Sequence, residues 1–65
     1  MNGLDEVMAE LYSEERHPNK ETAEELLDRL EKNNNYIPAS ARREYKNILL
    51  KEYRDYVKDQ KGKTR

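Results

Sequence analysis

The chain has 65 residues, 34% hydrophobic and 42% charged, with no cysteine, phenylalanine or tryptophan and a formal net charge of −1. This length allows one domain near the lower size limit for an independent core, and the absent cysteine excludes disulfides, thiolate metal sites and cysteine nucleophiles. With so few apolar residues, folding depends on how regularly they recur.

The small net charge hides a division. Residues 1–39 carry ten acidic and four basic side chains, net −6, whereas residues 40–65 carry four acidic and nine basic, net +5. We expect the two halves to attract each other within one fold, in preference to serving separate partners. No apolar run approaches the roughly 18 residues of a membrane span, and the start "MNGLDEVMAEL" lacks the basic and apolar regions of a signal peptide. The expectation is a cytoplasmic chain without a membrane segment.

The first predicted element is a helix over about residues 3–16. Leu4, Val7, Met8 and Leu11 follow the i, i+3, i+4, i+7 spacing of one helical face, with Tyr12 beside them. Asn2 is a suitable cap, Asp5 and Glu6 favour the positive end of the helix dipole, and Pro18 drives His17 out of the helical region. A second helix, about 20–33, aligns Ala23, Leu26, Leu27 and Leu30 behind Asn19 as cap, and Asn33, Asn34 and Asn35 suit a left-handed stop and turn. In "NYIPAS", Pro38 imposes extended backbone on Ile37, so Tyr36 and Ile37 are expected to plug the end of a bundle. Ser40 as cap, or Pro38 at the first helical position, opens a third helix.

That third helix, about 40–59, is the longest. Ala41, Tyr45, Ile48, Leu49 and Tyr56 fall on one stripe at roughly 100° per residue, which predicts that this stripe faces the other helices. "QKGKTR" contains a glycine and no apolar residue, and reads as a disordered tail over 60–65. The expected fold is therefore all-α: a small three-helix bundle in a single domain over 1–59, with a longer third helix and a flexible basic C-terminal tail.

Within "ILLKEYRDYV", Leu50, Tyr53 and Val57 form a second stripe displaced by roughly a quarter to a third of a turn from the first. A helix that contacts two neighbours has an ordinary use for a wide apolar arc. The excess length of the third helix raises the alternative that its last turns project from the bundle, making Leu50, Tyr53, Tyr56 and Val57 a partner-binding surface. Glu52 lies on the first stripe and is expected to reach solvent at the bundle's edge.

Catalytic and cofactor chemistry have little support. Glu14 and His17 form the only E-x-x-H spacing, with Glu10 a turn earlier, but a di-metal bundle needs the motif twice, and a lone histidine at a helix end is explained by the dipole. Ser13 and Ser40 have no evident base, and Gly3 and Gly62 are the only glycines, so no phosphate-binding loop is present. Neither an enzyme nor a cofactor or metal is expected.

Two functions follow from the residues. The first is a small intracellular helical module that binds a protein partner or itself through helix three. The second is a DNA- or RNA-binding module in which Arg43, Lys51, Arg54 and Lys58, with Lys61, present a basic face opposite the main stripe, with Arg42 and Lys46 on its flank. Against the second stand the overall acidic balance, the intervening Asp55 and Asp59, and a connection between helices two and three that is long for a helix-turn-helix.

Overall fold

The apolar spacing produces three helices in the computed structural model: α1, Gly3–Ser13; α2, Lys20–Lys32; and α3, Arg42–Lys63, preceded by a 3-10 turn at Ala39–Ala41. The structure describes residues 3–33 and 36–63. The expected cap Asn2, the Asn34–Asn35 part of the turn, and Thr64 and Arg65 lie outside the described residues.

α1 is shorter than its expected span because the backbone closes on itself before His17 and Pro18 are reached. Glu15 adopts a left-handed conformation at φ 61°. The Glu15 N–H then donates to the Tyr12 carbonyl at 3.0 Å and the Arg16 N–H to the Leu11 carbonyl at 3.1 Å, the paired bonds of a Schellman closure. Glycine usually occupies this position, since a Cβ in the left-handed region costs about 1–2 kcal/mol.

α2 starts where expected. The Asn19 side-chain oxygen accepts the Thr22 N–H at 2.8 Å, and the buried Thr22 hydroxyl donates to the His17 carbonyl, tying the connecting turn to the helix start. At the other end Asn33 has φ −91°, so it does not supply the left-handed stop; its N–H bonds to the carbonyls of Arg29 and Leu30 instead.

The "NYIPAS" connection divides its two apolar residues. Ile37 enters the core, whereas Tyr36 is 86% exposed, so only half of the expected plug forms. Ser40 lies inside the 3-10 turn and not at a helix cap, and Pro38 precedes that turn in extended backbone. α3 also outruns its expected end, continuing through Gln60, Lys61 and Gly62 to Lys63, so the first part of the expected tail is helix.

The core is built by Val7, Met8 and Leu11 of α1, Leu26, Leu27 and Leu30 of α2, and Leu49, Tyr53 and Val57 of α3, closed at one end by Ile37. α2 lies between the others, packing most extensively on α3 and next on α1. The orientation of α3 differs from expectation. Ile48 is 54% exposed and Tyr45 41% exposed, whereas Tyr53 is fully buried and Val57 nearly so. The helix is turned by roughly a quarter of a revolution relative to the stripe of Ala41, Tyr45, Ile48, Leu49 and Tyr56, leaving Leu49 as the principal residue common to both arrangements.

Tyr53 explains much of this turn. Its ring lies among core side chains while its hydroxyl donates to the Arg16 carbonyl at 2.7 Å, so the one polar atom it brings inside is satisfied. Tyr56 stacks beside it at 6.4 Å between ring centroids, and Tyr12 meets Tyr56 edge-on at 6.0 Å. Burial pushes the Tyr53 phenol above its ordinary value of 10.0.

These contacts, the outward Ile48 and the left-handed Glu15 can each be tested by substitution. Tyr53→Phe keeps the ring and strands the Arg16 carbonyl, and should cost about 1–2 kcal/mol in urea unfolding, while Tyr53→Ala should cost about 3–5 kcal/mol. Ile48→Ala should stay within about 0.5 kcal/mol of the wild type, as befits an outward residue. Glu15→Gly should raise stability by about 1 kcal/mol through relief of the left-handed glutamate, read as a higher thermal midpoint by circular dichroism.

Candidate functional site

The charge division seen in the sequence becomes two clamps. On α2, Glu24, Asp28 and Glu31 recur at helical spacing and face Arg42 at the start of α3. The Arg42 guanidinium meets Asp28 at 2.7 Å, Glu31 at 3.1 Å and Glu24 at 3.3 Å, and Lys46, one turn on, meets Glu24 at 3.0 Å. On the other side of α2, Arg29 binds Glu14 at 3.0 Å and Glu10 at 3.1 Å of α1, and Glu25 of its own helix at 2.9 Å. Each arginine thus draws together three carboxylates that would otherwise repel one another.

These clamps use up the enzyme-like fragment. Glu14 is held by Arg29, whose hydrogen bond lowers its pKa below the ordinary 4.5 against an opposing effect of burial. Glu24 is lowered in the same way, first by the hydrogen bond from Lys46 and then by Arg42. Among the described residues, no group of three or more His, Asp or Glu side chains is placed to hold a metal ion.

Removing the clamped residues from consideration leaves two unengaged surfaces. The first is apolar. Tyr36, Tyr45 and Ile48 stand around a groove of about 290 Å³ floored by Leu4, Leu30 and Ile37, between the start of α1 and the middle of α3. The flank of α3 that carries Ile48 also carries Glu44, Glu52 and Asp55, all exposed and without a hydrogen bond or ion pair among the described residues.

The second surface is basic. Arg43, Lys51, Arg54, Lys58 and Lys61 all lie on the outer side of α3, exposed and without an ion pair among the described residues. Lys61 also borders a cleft of about 630 Å³ shared with Arg16, His17, Tyr12 and Val57.

The residues expected to bind a partner are therefore split. Tyr53 and Val57 belong to the protein's own core, Leu50 and Tyr56 are half-buried, and the four do not form one free surface. The correction has a physical cause: α1 and the turn after it cover the part of α3 that was expected to project, through Tyr12 against Tyr56 and Arg16 against Tyr53. The basic residues Arg43, Lys51, Arg54 and Lys58 are all exposed on α3. The groove around Ile48 was missed because Tyr45 and Ile48 were assigned inward. The signal that places them was the pairing of Arg42 and Lys46, one turn apart, with the acidic line of α2.

Compared with protein-family models, curated proteins and solved structures, the chain matches none of them. No helix among the described residues is long and apolar enough to cross a membrane.

The clamps predict an acid-sensitive fold. Because Glu14 and Glu24 have lowered pKa values when folded, their stabilisation is present at neutral pH and is lost as pH falls below 4.5 through those lowered values. A thermal melt series should show the midpoint falling over that range, and less steeply in Arg42→Gln, which should also melt below Arg43→Gln at neutral pH. High salt should narrow that difference, since the pairs are open to solvent.

Proposed function

We propose that this protein is a small helical docking module that binds a protein partner through the groove formed by Tyr36, Tyr45 and Ile48. The carrying observation is the exposure of these three large apolar side chains around a single groove, in a chain with few apolar residues to spare. Tyrosine at such a surface supplies a large rigid contact that tolerates water in the unbound state. The proposed activity is binding, with no cofactor invoked. A cytoplasmic site of action fits a fold held by ion pairs without cysteine.

The occupant is an amphipathic helix with basic residues flanking its apolar face. Charge decides this: the unpaired Glu44, Glu52 and Asp55 lie beside Ile48, so a cationic partner is attracted and a second copy docking by the same flank brings acid against acid. Apolar anchors at helical spacing on that partner would enter the groove in the helix-in-groove manner.

The test uses a synthetic Leu/Lys amphipathic helix of about 14 residues and its Leu/Glu counterpart as probes. The Leu/Lys helix should bind with micromolar affinity, and Ile48→Asp should weaken it by about tenfold or more while leaving the thermal midpoint within a few degrees. Equal binding of both probes, or binding indifferent to Ile48, contradicts the reading. So does a monomer–dimer equilibrium in sedimentation that Ile48→Asp abolishes, which would assign the groove to self-association.

A further inference from the structure

The basic residues of α3 carry an inference independent of the groove. Arg43, Lys51, Arg54, Lys58 and Lys61, with Asn47 between the first two, are spaced 4, 4, 3, 4 and 3 residues apart, which places them in one line along the helix. At about 1.5 Å per residue the line is about 27 Å long; its own positions hold no acidic residue, while Asp55 and Asp59 lie beside it. The fold treats the cations of this chain in two ways. Arg29, Arg42 and Lys46 are held by carboxylates of neighbouring helices. The five on the line are exposed and have no such partner among the described residues.

We infer that this line is a binding track for the phosphate backbone of a nucleic acid. Several features favour a phosphate strand over other polyanions. From Lys51 to Lys61 the cations recur every three or four residues, as suits a regularly charged polymer, and with Arg43 about two turns earlier the line reaches about 8 base pairs along a duplex at 3.4 Å per pair. At its C-terminal end the track stops at a cleft that Lys61 shares with Glu15 and Arg16, the latter paired with Glu14 at 3.9 Å, so the five cations of α3 are what the track offers. A lipid surface is a poorer fit, because interfacial helices need apolar residues beside their cations, and here Ile48 and Tyr45 lie roughly 100° or more around the helix from the middle of the track. The track offers no base-reading arrangement beyond Asn47, so binding should be indifferent to sequence.

The full chain is titrated into a fluorescently labelled duplex of about 16 base pairs and a single strand of equal length, with anisotropy as the readout. Four to five phosphate contacts predict that duplex affinity falls by about 150- to 500-fold between 50 and 200 mM salt. Replacing Lys51, Arg54 and Lys58 together by Gln should flatten that salt dependence to under half its slope, with an unchanged thermal midpoint because none of the three makes an ion pair among the described residues. Ile48→Asp should leave nucleic-acid binding unaltered, so this inference and the docking reading fail separately. No binding to either strand form at 50 mM salt, or binding that the triple substitution does not change, overturns the inference. Binding to phosphatidylserine vesicles without binding to nucleic acid overturns it as well and reassigns the track to membranes.

Discussion

A buried tyrosine that must satisfy its hydroxyl sets the geometry of this small protein. Tyr53 is fully enclosed, and its hydroxyl meets the Arg16 carbonyl at 2.7 Å. A buried hydroxyl without a partner would cost a domain of this size a large share of its stability, so the carbonyl has to be presented at one place. The left-handed Glu15 does this, by closing α1 early and turning Arg16 toward α3. Strain at one residue is thereby exchanged for a satisfied polar contact that joins the first and third helices across the core.

With Tyr53 inward, the rest of α3 has little freedom. Leu49 and Val57 follow it into the core at four-residue spacing, and Arg42 and Lys46 come to rest along the acidic line of α2. Apolar packing and charge pairing therefore select the same rotation of the helix, the agreement between levels expected of a sequence that specifies one structure. The same rotation exposes Tyr45 and Ile48 on one flank and the basic track on the opposite side. Both proposed interaction surfaces are thus consequences of where Tyr53 points.

The number of helices, their order, the long third helix, the Asn19 cap and the core positions of α1 and α2 are all legible in the spacing of apolar residues. The rotation of α3 is not, because Arg42 and Lys46 share the inward arc with Leu49 and Tyr53. A reading that sends charged residues outward cannot place them there. Both side chains are 31% exposed, and their charged ends reach Glu24, Asp28 and Glu31. The early end of α1 is hidden for a related reason: a left-handed glutamate leaves no mark in the sequence comparable to a glycine. The basic face was legible, since it depends only on positions along a single helix.

Everything proposed about function rests on the claim that α3 turns Leu49 and Val57 inward and Ile48 outward. Solvent paramagnetic relaxation on protein carrying labelled isoleucine, leucine and valine methyls reads this directly. The account predicts strong relaxation of the Ile48 methyls and protection of the methyls of Leu49 and Val57. Protected Ile48 methyls together with strongly relaxed Val57 methyls would contradict it, and would return the groove around Ile48 to the core.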